Sequence, residues 1–428
     1  MKMLIKNGRI VDPANRLDQI ADLLIDNGKI AKLGTKLSNN EDAETIDATG
    51  LIVAPGLIDM HVHLREPGRE DKETIATATR AAARGGFTTV LGMPNTDPVM
   101  DDQTAVEFVA ARSKRDGIVN VYTTGSATKG QKGKELADMW ELRNSGAIAV
   151  TDDGRTIPSA DVTLKVLKYA KMLGLPYLSH AEEPSMRGVM HEGLISTEMG
   201  LEGKPSVAED IVVAREIILA EYEDAQVHFC HGSTKGTVEL VALAKKRGIK
   251  VTVETCPQYF SLTDKAVLGY NLNAKMNPPL RSEDHVNAVK RALHDDVIDV
   301  IATDHAPHLL SEKFLEYDDA ASGIVGLETA VPLVMNNLVH ANILTLSQAI
   351  SKMTTNPAKI LKIPKGTLSV GVDADVTIID MNKEEIINAA EFESKGRNTP
   401  FNGMKLKGVP VMTIVGGRIV MKDRKVIV

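Results

Sequence analysis

Cysteine is nearly absent. Cys230 and Cys256 are the two thiols in 428 residues, and they form no CxxC pair. Such usage excludes a disulfide framework and a thiolate zinc site and fits a reducing compartment, so any metal has to be held by histidine and carboxylate. Long apolar runs are missing too, and the N-terminal MKMLIKNGRI lacks the small-residue cleavage site of a secretory signal. A cytoplasmic location without a membrane partner is therefore expected. There is no basic excess: Lys and Arg number 50 against 57 for Asp and Glu, a net charge of −7. That balance gives no reason to expect nucleic acid, yet it leaves room for a locally cationic pocket that takes a small anion. Aromatics make up 4% of the chain, and its one tryptophan, Trp140, reads as packing.

What is present differs between the ends and the middle. MLIKNGRIVD, DLLIDNGKIAKLG and ETIDATGLIVAP fill the first 54 residues, with Asn7-Gly8 and Asn27-Gly28 each set between alternating runs in the pattern of a hairpin turn. GTLSVGVDADVTIID and VPVMTIVGGRIVMKDRKVIV repeat this style at the other end, so residues 1–54 and 364–428 are expected to form one composite β-sandwich. Residues 55–363 change period. Eight apolar runs, GLIDMHVHL, FTTVLGM, IVNVYTTG, AIAVTDD, LPYLSH, QVHFCH, IKVTVET and VIDVIATDH, alternate with helical stretches such as KETIATATRAAARGG, where Gly85-Gly86 marks a C-terminal stop. Eight β-then-α units predict the α/β class and a (β/α)8 TIM barrel. The rival, an open doubly wound sheet, wants GxGxxG after the first strand, and HVHLREPGRED has none.

Barrels of this kind collect their chemistry at the C-terminal ends of the strands. Strand one ends with His61 and His63, strand two runs into Asn95, strand four ends in Asp152-Asp153, strand five in His180, strand six in His231 and strand eight in Asp304. Period-two alternation points His61 and His63 to one face, and it sets His228 and His231 on opposite faces, of which the end position favours His231 for the lumen. Asp59 shares the parity of His61 and is expected deeper, orienting a ligand. One tetrahedral ion needs three protein ligands, whereas two ions with a bridging carboxylate use this set more fully: His61 and His63 on one, His180 and His231 on the other, Asp153 between them and Asp304 beside the attacking water. Activated hydrolysis of an amide-type bond is the matching chemistry. Arg65 is placed to grip a substrate carboxylate, with a salt bridge to Glu66 or Glu70 as the alternative, and Asn95 and His308 are placed to add hydrogen bonds.

Taken in order, DMHVHLREPG, GMPNTDPV, TDDG, SHAEE, CHGST, NPPLR and TDHAPH resemble the bacterial type I dihydroorotases of the amidohydrolase superfamily, over essentially the whole chain. The resemblance implies reversible cyclisation of N-carbamoyl-L-aspartate to L-dihydroorotate, the third step of pyrimidine biosynthesis. It implies one or two zinc ions, two being favoured, on His61, His63, His180 and His231 with Asp153 bridging, and Asp304 as a metal-contacting general acid/base. Substrate contacts are implied for Arg65, Asn95, Asn277, His308 and Gly323. Both Asp152 and Asp153 follow the strand, and only the resemblance favours the second. A homodimer and association with an aspartate transcarbamoylase are further expectations of the resemblance.

Related cyclic amidases often bridge their metals with a carboxylated lysine on strand four, but AIAVTDDG has no lysine, which argues against a hydantoinase. An allantoinase-like amidase and a catalytically silent scaffold are the other readings; a scaffold is expected to have lost ligands, and none is missing here. One departure concerns the substrate loop, where the family's Ala-Pro-Phe-Gly is Ala320-Ala321-Ser322-Gly323.

Overall fold

The computed structural model describes residues 2–37 and 43–427. Met1, residues 38–42 and Val428, which the sequence reading assigns to the composite end domain, lie outside the described residues. The eight apolar runs form eight parallel strands in chain order: Leu57–Val62, Phe87–Gly92, Asn120–Ser126, Ala147–Thr151, Tyr177–Ser179, Val227–Phe229, Val251–Thr255 and Val300–Ile301. A parallel bridge between Val62 and His305, with His63 N–H donating to the His305 carbonyl at 3.0 Å, brings the eighth strand's end back to the first and closes the barrel. Met60, Leu91, Ala149, Leu178, Val300 and Ala302 pack in one buried cluster, the filled interior such a barrel requires.

The helices start and stop where local chemistry dictates. Thr74 caps the helix Ile75–Gly85 by accepting from Thr77 N–H, and Gly86 ends it at φ 91°, a left-handed conformation that costs glycine nothing. Ser159 and Gly174 bracket Ala160–Leu173 in the same way. Each helix leaves its catalytic-face loop at the end of the preceding strand, which places the site.

Both chain ends build one sheet of nine strands. The strand Ile52–Pro55 runs parallel to Lys2–Asp12 and antiparallel to Val376–Ile386, and so joins the two ends. The sheet closes over a core that includes Met3, Ile5, Leu23, Val53, Ile378 and Ile414. Hydroxyls hold it to the barrel: Thr377 Oγ1 donates to the Gly86 carbonyl at 2.6 Å and Thr413 Oγ1 to the Ala83 carbonyl at 2.7 Å, satisfying acceptors that the end of a helix leaves free.

Two local expectations are corrected. Asn27-Gly28 is the turn between Leu17–Asp26 and Lys29–Gly34, both residues having positive φ, but Asn7-Gly8 lies inside the continuous strand Lys2–Asp12. There the register shifts between Ile5 and Gly8, so the positive φ of Asn7 makes a bulge rather than a hairpin, and Asn7 N–H is taken by Asp22 Oδ1 at 2.9 Å. Trp140 does not serve as packing either: it is 56% exposed, on the outer face of the short helix Met139–Asn144.

Candidate metal centre and its pocket

His61, His63, Asp153, His180, His231 and Asp304 converge, all buried, at the C-terminal mouth of the barrel. Asp153 Oδ1 lies 3.3 Å from His61 Nε2, 3.6 Å from His180 Nδ1 and 3.6 Å from His231 Nε2. Asp304 Oδ1 lies 3.1 Å from His63 Nε2 and 3.5 Å from His61 Nε2. Donor atoms around a tetrahedral ion with bonds of about 2.0–2.1 Å sit about 3.3 Å apart, so these spacings suit a shared ion. The fit has a second sign: His61 Nε2 and Asp153 Oδ1, both fully buried, have no hydrogen-bond partner. Orphaned polar atoms in a closed site are costly unless something they ligate is bound there. His231 and Asp304 sit at φ 38° and 52°, left-handed turns just past the strand ends that swing both side chains inward.

Charge in the cluster is balanced by protons when no ion is bound. Burial disfavours a charged His61 ring, but Asp153, Glu254 and Asp304 outweigh it and hold the ring's pKa well above the usual value. Burial likewise works against an ionised Asp153, yet His61, His180 and His231 bring its carboxyl well below the usual range. A divalent cation is the natural replacement for those protons.

Of the supports from deeper in the barrel, Asp59 was expected and Glu254 was not. Glu254, on strand seven, accepts from His61 Nδ1 at 2.6 Å, from His228 Nε2 at 3.1 Å and from His231 N–H at 3.2 Å. It fixes the His61 tautomer with Nε2 free for an ion. The expectation that only one of His228 and His231 can face the lumen is overturned. Strand six ends at Phe229 and the backbone turns at His231, so parity breaks and both residues reach Glu254. The only signal was an acidic residue inside the strand-like VTVET. Asp59 orients the site through the main chain, accepting from His61 N–H and Thr303 N–H, each at 3.1 Å, and burial raises its carboxyl to about 7. Asp152 points away to Ser126 and Thr128, leaving Asp153 to face the histidines. Cys230 lies close to His61 and Glu254, but burial pushes its thiol up and keeps it protonated.

The cluster opens into a cavity of about 230 Å³ whose lining includes Arg65, Asn95, Asn277, His308, Ser322 and Gly323. Arg65 pairs with neither Glu66 nor Glu70. Glu66 is held by Arg112 at 2.6 Å and by Ile75 N–H, while Glu70 accepts from Gly68 N–H. Among the described residues Arg65 Nε donates to the Pro307 carbonyl at 3.2 Å, and no carboxylate lies within ion-pair distance. Burial lowers its pKa to about 10, still fully charged near neutrality. Burial and Arg65 push His308 down to about 3, so its ring is neutral, and its Nε2–H donates to the Ser322 carbonyl at 2.9 Å. Asn95 Oδ1 accepts from His63 Nδ1 at 2.9 Å, which makes it a ligand orienter as well as a pocket residue. Asn277 reaches the cavity, but Lys204 donates to its Oδ1 at 2.6 Å and its Nδ2 donates to Glu182 at 2.7 Å. Gly323, at φ 147°, has no space for a Cβ, which would meet His308 Nε2 at 2.8 Å. The altered loop is held by the buried Lys313, whose Nζ donates to the carbonyls of Lys275, Ala321 and Gly323.

Comparison with known proteins agrees with this geometry. Residues 52–420 match the amidohydrolase family model. The dihydroorotase of Pelotomaculum thermopropionicum is 54% identical over 426 residues, covering 99% of each chain, and that of Geobacter metallireducens is 51% identical, covering 99% of this chain and all of that one. Among solved structures, the L-hydantoinase of Arthrobacter aurescens superposes with a TM-score of 0.91 at 26% identity, over 100% of this chain and 97% of that one. The dihydropyrimidinase of Brevibacillus agri gives 0.88 at 25% identity, over 100% and 96%. No described helix is long and apolar enough to cross a membrane. The chain thus belongs to the amidohydrolase family and, within it, to the dihydroorotases.

Proposed function

We propose that the protein catalyses the reversible, zinc-dependent cyclisation of N-carbamoyl-L-aspartate to L-dihydroorotate and water, with residues 55–363 as the catalytic barrel and residues 1–54 and 364–428 as its companion domain. The observation that carries the reading is Arg65: a half-buried guanidinium with no carboxylate within ion-pair distance among the described residues, opening into the same cavity as the histidine–aspartate cluster. A site so built wants a substrate that brings its own carboxylate, as dihydroorotate does and hydantoin or allantoin does not.

In this reading His61 and His63 would hold one zinc ion and His180 and His231 a second, with Asp153 available to both and Asp304 beside the first. When bound, the ions supply an activated water and polarise the ring carbonyl. Arg65 and His308 position the substrate carboxylate, and Asn95, through its hold on His63, couples that position to the cluster. Asp304 takes a proton from the attacking water and delivers it to the ring nitrogen as the C–N bond opens. Cyclisation retraces this path, with Asp304 accepting the proton of the carbamoyl nitrogen and giving it to the departing oxygen. General acid–base groups contribute about 10²–10⁴-fold, so Asp304→Asn should lower kcat by at least that range while the protein still binds zinc. Near-normal turnover by that variant would sink the assignment.

The hydantoinase alternative draws on the solved structural neighbours. Against it stand the half-buried Arg65, with no carboxylate in ion-pair distance among the described residues, and a strand four without lysine.

A further inference from the structure

Beside the metal pocket lies a second, larger cavity of about 480 Å³, which shares His180 and Gly154 with it. The His180 ring is the partition: Nδ1 lies toward Asp153, and Nε2 lies on the side of Glu182, 3.9 Å away. Gln131, buried in the wall, donates from Nε2 to the Asp153 carbonyl at 3.2 Å and so ties the cavity to the ligand-bearing loop.

The charge of this cavity is unusual for a protein of net charge −7. Three cations line it, Lys132 and Lys134 from the loop after strand three and Arg155 from the loop after strand four. None has a carboxylate within ion-pair distance among the described residues, whereas their neighbour Lys129 is paired with Glu135. Glu182, the one acid in the lining, is already neutralised by Lys204 at 2.8 Å and held by Asn277. The cavity therefore carries a local excess of three positive charges next to a site whose substrates are anions. Clustered charge of one sign at a low-dielectric cleft focuses the field and raises the local concentration of opposite charge.

We infer that this cavity is an anion vestibule, an entry site that gathers small carboxylates, above all the open-chain dianion, and passes them across the His180 partition to the metal pocket. The inference rests on the function proposed above. The side chains of Lys132, Lys134 and Arg155 make no ion pair with any member of the cluster; they act on encounter and release.

The test is the triple variant K132Q/K134Q/R155Q, assayed as the zinc-loaded full chain in both reaction directions from low to high ionic strength. Steered encounter is worth about ten-fold or more and fades as salt screens the field. The expected result is a kcat/KM about ten-fold below wild type at low salt that converges with it at high salt. The fall must be equal in both directions, because they share one equilibrium constant. The charge-keeping variant K132R/K134R/R155K should behave as wild type. An unchanged kcat/KM with an unchanged salt slope overturns the vestibule, and so does a deficit that is the same at every salt concentration, which marks a structural defect. A wild-type protein that turns over neither substrate overturns the function itself, and the vestibule falls with it.

Discussion

His61 works through both ring nitrogens: Nδ1 is fixed by Glu254 and Nε2 faces the cluster without a partner. Removing the charge of Glu254 while keeping its size should loosen that ring, and partners of this kind are worth about 10–100-fold in metal affinity. Glu254→Gln is accordingly expected to bind zinc about 10–100-fold more weakly in a chelator competition, with kcat recovering as zinc is raised; unchanged affinity would remove Glu254 from this role. The sequence reveals His61 and His63 because their spacing and position on an apolar run carry the signal. It hides Glu254, which meets His61 across 193 positions of chain and only after the barrel closes. The choice between Asp152 and Asp153 was hidden for the same reason: the hydroxyls that claim Asp152 come from the last residue of strand three, Ser126, and from Thr128 in the loop after it.

At the scale of elements, the strands were legible and the loops were not. Each barrel strand is an apolar run bounded by turn residues, so all eight could be read in order. The loop that follows the short helix Leu310–Lys313 and runs to Gly323 has no periodicity to read, and it lacks the proline and phenylalanine that the resemblance leads one to expect. Lys313 supplies what the local sequence lacks, three donors to three carbonyls, and the neighbouring Lys275 donates to Tyr317 and Asp318 carbonyls on the same loop. Burial lowers Lys313 to about 7, but the three carbonyls favour the charged form. Lys313→Met keeps the stem and removes the donors. Hydrogen bonds to a charged group are worth about 1.5–3 kcal/mol, so the variant should raise KM about ten-fold or more, with kcat affected less and zinc content unchanged. Wild-type KM would show that the loop is held by something else. Asn7-Gly8 teaches the converse: a strong local turn signal yields when the flanking runs both belong to one strand.

For the molecule as a whole, the composite sheet and the barrel share a hydroxyl-stitched interface, and two histidines held neutral by burial weaken the fold toward acid. Burial, then Arg281, lowers His191 to about 4, and His308 stands at about 3. In the unfolded chain both titrate near 6.5, so between about 6.5 and 4 unfolding takes up protons and stability falls as pH falls. The raised pKa values of His61 and His180 do not reverse this, since their contribution is fully present below 6.5 and is lost only as pH rises through the folded values. Asp59 and Glu328, whose carboxyls burial raises to about 7, work the other way and add stability as pH falls through this range, so the histidines are read by difference: in metal-free protein each subtracts up to about 1.4 kcal/mol per pH unit between pH 6.5 and 4.5. The Tm of His191→Gln relative to wild type should therefore rise as pH falls from 6.5 to 4.5; a difference that does not change with pH would contradict the assignment.

The claim that unites these scales is that a carboxylate-gripping arginine turns a general amidohydrolase centre into a dihydroorotase. Zinc-reconstituted protein, with its metal content measured in the same sample, should be assayed on L-dihydroorotate and on hydantoin, alongside Arg65→Ala. The account predicts robust opening of L-dihydroorotate, hydantoin slower by at least about 10²-fold, and an Arg65→Ala protein that retains zinc but loses most of its preference. Turnover of hydantoin with none of L-dihydroorotate, or a preference that survives the loss of Arg65, would contradict it.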